Sequence, residues 1–310
     1  MPKADVPRSS LRVQTVAHAF TRSTLFKYAE ALAQSLYNAR SAEVIGDTVV
    51  ALGDGSAKAG LDERSLETLR NTFADGGAEF VYDRFGQNIG HAAGHNRLFQ
   101  DNSSELLMLC NDDVVTGPQA VTELVRGLLL RPEVGLVEAH QLPFEHPKQY
   151  DLVTGETGWC SLACALTPAD VFEKLGGLDA EWFFLQGDDV DYSWRLRLWG
   201  YKCTYRPSAR VVHDKRVDAA GAVLISPKEE RELAEADLLL SRKYGEPRRF
   251  DDVIAWYGEY GTDAQAKAAA AFSERREQGR LPSPVPGAER VAFFRDGSYA
   301  VHRFGVSFSS

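Results

Sequence analysis

Leu106-Leu107-Met108-Leu109-Cys110-Asn111-Asp112-Asp113 sets five apolar residues directly before three polar ones. A short, continuous apolar run reads as a buried strand, and the polar residues after it mark the strand's carboxyl end. Helical periodicity flanks it on both sides. Downstream, Pro118 to Leu130 places Val121, Leu124, Val125, Leu128 and Leu129 on one helical face. Upstream, Leu25, Ala29, Leu32, Ala33 and Leu36 do the same after a first strand, Leu11 to Phe20, with Ser23 as the expected cap. Glu43 to Leu52 and Glu79 to Tyr82 add two strands, the first running into the turn residues Gly53-Asp54-Gly55-Ser56. Strands alternating with helices over residues 11 to 213 predict an α/β fold with a mostly parallel central sheet flanked by helices. Ligands of such sheets bind beyond the carboxyl ends of the strands, so residues 53–56 and 111–113 are the first site candidates.

Further along, Thr167-Pro168-Ala169-Asp170 has the form of a helix start, with Thr as cap and Pro in first position, and Gly176-Gly177 stops that helix. Another helix is expected from Asp188 to Trp199-Gly200. After His213 the texture changes. Ser226-Pro227-Lys228-Glu229 has capping-box form and opens a charged helix to about Lys243, and Thr262 to Gln278 is Ala-rich and helical. Val291 to Phe294 and Tyr299 to Phe304, around Arg295-Asp296-Gly297-Ser298, read as a β-hairpin. A boundary near 220 divides the chain into a core domain, 1–220, and a C-terminal helical region with a terminal hairpin, 221–310.

The 310 residues carry 35 Lys and Arg against 44 Asp and Glu, a net charge of −9 that argues against a nucleic-acid partner. No run approaches the roughly 18 apolar residues of a membrane helix, and the polar, proline-bearing start is unlike a signal peptide, so a cytoplasmic protein is expected. Cys110, Cys160, Cys164 and Cys203 are too few and too irregular for a disulfide framework and read as buried thiols.

Four clusters carry candidate chemistry. Asn111-Asp112-Asp113 is either a polar loop or the kind of acidic strand end that holds Mg²⁺ or Mn²⁺ beside substrate phosphates. Gly187-Asp188-Asp189-Val190-Asp191 crowds three acids into a helix start. The helix dipole and an Asp191–Arg195 pair account for one or two of them; three repelling carboxylates invite a cation or a proton-accepting role. His213 closes a strand-like stretch and is either structural or a ligand that favours Mn²⁺. Asn88-Ile89-Gly90-His91-Ala92-Ala93-Gly94-His95-Asn96 places small residues where a ligand can approach closely.

In this order the clusters resemble the family-2 glycosyltransferases of the GT-A fold, especially rhamnosyltransferase-like and galactofuranosyltransferase-like members. The likeness runs from about Val13 to His213. Ala19-Phe20-Thr21-Arg22 stands where such enzymes have T-Y-N-R. Gly53 to Ser56, Asn88 to Asn96 and Asn111 to Asp113 stand for D-x-G-S, the N-x-G stretch and N-x-D. Gly176-Gly177-Leu178-Asp179, Asp188 to Asp191 and His213 complete the pattern, with Arg195, Gly200-Tyr201 and Pro207 between them.

The resemblance implies an inverting, metal-dependent transfer of a sugar from a nucleotide diphosphate donor, a UDP- or dTDP-sugar, to a hydroxyl of a glycan or lipid-linked saccharide. It implies Asp113 and His213 as ligands of Mn²⁺ or Mg²⁺, and Asp189, with Asp188 beside it, as the catalytic base. Ala19, Phe20, Arg22, Asp54, Asn88, Gly90, Asn96, Asn111 and Asp112 would line the nucleotide-sugar site. Trp159, Trp182 and Asp191 are candidates for the acceptor, with a core role for the tryptophans left open. The C-terminal helices could shape the acceptor site, mediate self-association, or touch a membrane through Arg242, Lys243, Arg248 and Arg249. Two rivals are weighed against this. A non-catalytic sugar-binding protein would need no base, and a nucleotidyltransferase would need a Gly-rich basic loop that Leu11 to Thr24 lacks.

Overall fold

Every residue of the strand β4 (Leu106–Cys110) is buried because it lies in the middle of the sheet, parallel to β1 (Ser9–Ala17) on one side and antiparallel to β8 (Cys164–Pro168) on the other. The computed structural model describes residues 8–18, 20–57, 60–145, 148–215, 224–245, 248–294 and 299. The remaining strands are β2 (Ile45–Asp54), β3 (Glu79–Arg84), β5 (Val114–Thr116), β6 (Val134–Leu142), β7 (Glu156–Thr157) and β9 (Lys202–His213). They are ordered β3-β2-β1-β4-β8-β6-β9-β5, with β7 also on β9. The first four strands are mutually parallel. Beyond β4 the sheet is mixed, β6 and β9 being the parallel pair there.

The parallel half follows from its connections. Helices α1 (Arg22–Ser41), α2 (Glu63–Asp75) and α3 (His91–Phe99) separate its strands, and each crossover returns the chain in the same direction. Leu25, Ala29, Leu32 and Leu36 of α1 are buried as their spacing predicts, but the cap is Thr21 rather than Ser23. The helix starts at Arg22, and Thr21 Oγ1 accepts the Thr24 amide at 3.2 Å. Thr167 is not a cap either. Strand β8 continues through it, its hydroxyl donates to the Gly135 carbonyl at 2.7 Å, and α5 (Ala169–Lys174) begins without a side-chain cap. Helix α4 (Ala120–Leu129) buries Val121, Leu124, Val125 and Leu128 of its expected face but leaves Leu129, its last residue, exposed, and all four cysteines are buried and free.

After α6 (Asp188–Leu198) and β9 come α7 (Pro227–Tyr244), α8 (Arg249–Tyr260) and α9 (Asp263–Glu277). The expected capping box of Ser226 with Glu229 forms, and Thr262 with Gln265 makes a second one at the start of α9. These helices share a buried cluster with α6, in which Trp159, Phe183, Val190 and Trp194 pack with Leu238, Tyr244, Phe250 and Phe272. Val291 to Phe294 form no strand. A 3₁₀ turn, Ala288–Arg290, ends at Val291, whose carbonyl accepts Arg197 Nη1 at 2.6 Å and leaves no ladder for a hairpin arm. The second arm, apart from Tyr299, lies outside the described residues. Among the described residues no helix is long and apolar enough to cross a membrane.

A buried ion cluster joins α6 to α7. Asp191 is fully buried; its Oδ1 accepts Lys243 Nζ at 2.5 Å and the Tyr244 hydroxyl at 2.7 Å, and its Oδ2 accepts Arg195 Nε at 2.7 Å. Lys243 also reaches Asp179 at 2.6 Å. Lys243 is therefore a buried structural cation and not part of a basic surface. Asp191→Ala strands these donors and should cost about 3–5 kcal/mol in urea unfolding. A loss below about 1 kcal/mol, the scale of an exposed pair, would contradict the role of this cluster.

Candidate active site

The Asn111 amide donates to the Ala163 carbonyl at 2.9 Å, fixing the end of β4, and the chain turns through Asp113 into β5. Strand β5 pairs antiparallel with the end of β9, Val114 opposite His213, and this register sets Asp113 beside the imidazole. His213 Nε2 lies 3.2 Å from Asp113 Oδ1. That oxygen is buried and accepts no hydrogen bond. His213 Nδ1 is 2.8 Å from Gln141 Oε1, and Gln141 Nε2 donates to Glu138 Oε1 at 3.3 Å, which orients the amide. Glu138 is buried in an ion pair with Lys148. The imidazole therefore donates through Nδ1 and turns the lone pair of Nε2 toward Asp113, the arrangement of a metal-ligating histidine with its supporting partner.

An oxygen and a nitrogen at this separation match neighbouring corners of an octahedron with bonds near 2.1 Å, which lie about 3 Å apart. Among the described residues no three His, Cys, Asp or Glu side chains gather to hold a metal. The pair would thus supply two ligands and leave the other positions to ligand oxygens and water. Asp112, half-buried beside it, has its carboxyl pushed up to about 7 by burial and then by the charge of Asp113.

The facing wall is the start of α6. Gly187, in the left-handed region with φ 83°, turns the chain into the helix. The three acids after it have different fates. Asp188 is buried and accepts His91 Nδ1 at 2.6 Å and the Asp189 amide at 3.1 Å. Asp191 is the fully buried anchor of α7 and is closed to an acceptor. Among the described residues Asp189 makes only a local bond, to the Val190 amide at 2.8 Å, and its carboxyl is pushed up to about 7, first by burial and then by Asp188. Two side chains tie the walls together. Lys215 lies within electrostatic reach of both Asp113 and Asp189. His91, at the start of α3, meets Asp188 on one side and the Asn111 side chain on the other.

The remaining candidates divide. Asn88 accepts the Gly90 amide at 3.0 Å and shapes the turn into α3. Gly90 faces Phe184 rather than an open pocket: a Cβ there would stand 2.5 Å from the Phe184 carbonyl. Asn96 is structural, its amide exchanging two hydrogen bonds with the Leu178 backbone at 2.7 and 2.9 Å. Asp54 is buried, with one oxygen on the Ser56 amide at 2.8 Å and the other on the Tyr82 hydroxyl at 2.6 Å, so it organises the strand end. Phe20 packs against the main core. Arg22 is exposed and paired with Asp62 at 2.8 Å. Ala19 lies outside the described residues. Trp159 is core, not an acceptor platform: it is buried against the C-terminal helices with Lys148 Nζ 4.5 Å from its ring centre. Trp182 is half-buried on the same cluster. His91 sat inside a quoted motif without a role, and nothing in the sequence singled out Gln141. Phe184 and Leu185, just before the acids, are exposed apolar side chains.

No family model matches the chain. It is 31% identical over 165 residues to the O-antigen biosynthesis protein RfbC of Myxococcus xanthus, covering 42% of this chain and 13% of that protein. It is 41% identical over 58 residues to the N-acetylglucosaminyl-diphospho-decaprenol L-rhamnosyltransferase of Mycobacterium tuberculosis, covering 19% of each. The chain thus spans under a fifth of the length of these relatives. Among solved structures it superposes on the mannosyltransferase PcManGT from Pyrobaculum calidifontis, in complex with GDP-Man and Mn²⁺, with TM-score 0.58 and 16% identity over 89% of this chain and 78% of that one. GalNAc-T7 with UDP, GalNAc and Mn²⁺ gives 0.60 and 14% over 90% of this chain and 56% of that one. The chain has the GT-A glycosyltransferase fold. Its curated relatives are named for O-antigen biosynthesis and rhamnosyl transfer, and its structural neighbours are glycosyltransferases.

Gly90 and Gly86 both have positive φ, 88° and 76°, but an added Cβ at Gly86 meets nothing within 4 Å. Gly86→Ala should therefore cost about 1–2 kcal/mol of backbone strain. Gly90→Ala should cost clearly more and loosen the segment from Trp182 to Gly187, read by hydrogen exchange. Equal costs would mean that the contact with Phe184 is soft.

Proposed function

We propose that this chain transfers a sugar from a nucleoside diphosphate donor to an acceptor hydroxyl with inversion, Asp189 serving as base and Asp113 and His213 as the protein ligands of a divalent cation. The observation that carries this is a half-buried carboxylate with no cation in contact among the described residues, Asp189, and an aspartate–histidine pair, Asp113 and His213, with Lys215 within electrostatic reach of both carboxylates. The named activities of the relatives and the nucleotide sugars and Mn²⁺ of the structural neighbours support the same reading.

In the reaction the acceptor oxygen forms a bond to the anomeric carbon from the face opposite the diphosphate. The bond from that carbon to the diphosphate oxygen breaks, its electron pair leaves with the nucleoside diphosphate, and the acceptor proton passes to Asp189. A carboxyl near 7 is matched to proton abstraction at neutral pH, since a much stronger acid would make a poorer base. One carboxylate suffices for single displacement, because no covalent intermediate needs a second. The cation, when bound, supplies charge neutralisation at the leaving diphosphate. Asn111 and Asp112 border the donor side, and Phe184 and Leu185 form an apolar edge for the acceptor. A UDP- or dTDP-sugar donor and a glycan or lipid-linked saccharide acceptor complete the reading; the name of the mycobacterial relative supports a lipid-diphosphate-linked acceptor.

Asp189→Asn should lower kcat by about 10²–10⁴ while donor affinity stays within about twofold. Full turnover by this variant would remove Asp189 as base. The base acts ionised and its pKa is raised to about 7, so kcat should fall as pH drops through about 7. A rate flat down to pH 5, on the order of the ordinary carboxylate range, would contradict that assignment. Gln141→Leu frees His213 to rotate and should weaken Mn²⁺ binding about 10- to 100-fold in titration calorimetry. An unchanged affinity would return His213 to a structural role.

A further inference from the structure

We infer that His91 is a positioning residue of this site, a bracket that holds the base-bearing start of α6 at a fixed place against the Asn111 turn. The inference rests on the reading of Asp189 as base and extends it to a residue outside the machinery described above.

His91 is the first residue of α3 and makes three connections, each to a different segment. Its amide donates to the Phe184 carbonyl at 2.7 Å, fixing the segment that leads into α6. Its Nδ1 meets Asp188 Oδ2 at 2.6 Å, and its ring lies within hydrogen-bond reach of the Asn111 side chain. Asp188 in turn accepts the Asp189 amide through its other oxygen. A ring that finds acceptors on both sides is best satisfied as the doubly protonated imidazolium. Burial opposes that charge, but Asp188 and its hydrogen bond outweigh it and raise the His91 pKa above the ordinary value.

Mechanical and electrostatic effects then coincide. His91 sets where Asp189 stands, and its charge offsets that of Asp188 beside the base. The other groups facing Asp189 are Lys148 from the segment after β6, Lys215 after β9, and Tyr299.

The test compares kcat–pH profiles, donor affinity and melting temperature for the wild type, His91→Gln, Asp188→Asn and Asp189→Asn. His91→Gln keeps a donor for Asp188 and loses the charge. It should lower kcat about 10- to 100-fold with donor affinity within about twofold, and move the acid limb up by about one pH unit. Asp188→Asn removes the like charge and should move the limb down. Melting temperature measured across the same pH range separates these shifts from acid unfolding, which would also move the limb. If His91→Gln is inactive, retained donor binding and melting temperature support the bracket, whereas melting within the assay range reduces His91 to a structural role and overturns it. An unmoved limb with kcat within twofold overturns it as well. Full activity of Asp189→Asn would defeat the base assignment itself, an outcome distinct from failure of His91→Gln alone.

Discussion

Three carboxylates within four residues at the start of one helix repel one another, and the structure depends on how each is compensated. The dipole of α6 favours all three but cannot neutralise them. Asp191 is taken by Arg195, Lys243 and Tyr244, which makes it the anchor of α7. Asp188 is taken by His91, which makes it the link to α3. Among the described residues Asp189 has no cation in contact, and its raised pKa reflects burial and the charge of Asp188. Structure and chemistry thus divide one acidic motif. The C-terminal helices belong to this division, because without Lys243 and Tyr244 the α6 start would carry an uncompensated buried charge.

A second constraint acts at the other wall. The register of β5 on β9 sets Asp113 against His213, and a slip of one residue would turn the imidazole to the opposite face. From there the polar chain runs inward through Gln141 and Glu138 to Lys148, which covers Trp159 and acts electrostatically on Asp189. The buried Lys148, its pKa lowered to about 8 by burial, is thus held between the two halves of the site.

The parts of the fold legible in the sequence are those fixed by local rules. The limits of β4, the buried face of α1 and the capping box of α7 depend on residues a few positions apart. Thr167 had the local form of a cap, but a tertiary partner, the Gly135 carbonyl, claimed its hydroxyl. The site divides in the same way. The strand-end position of Asn111 to Asp113 and the helix-start position of Asp189 were readable from pattern. The fates of Asp191, Asn96 and Trp159 were not, because each is decided by a partner from a separate segment: Lys243, the Leu178 backbone and the C-terminal helices. Periodicity carries no information about such pairings.

The central claim is that the two walls form one metal-assisted site for a nucleoside diphosphate donor, and it is tested most directly by melting the protein with a panel of nucleoside diphosphates and nucleotide sugars, with and without Mn²⁺. A ligand that binds only the folded chain stabilises it, by about 2.7 kcal/mol at a hundredfold excess over its Kd. The account predicts a rise in Tm with at least one diphosphate, uridine or thymidine above all, that requires Mn²⁺ and disappears in Asp113→Asn. No rise with any of them, or the same rise without metal and in that variant, would contradict it.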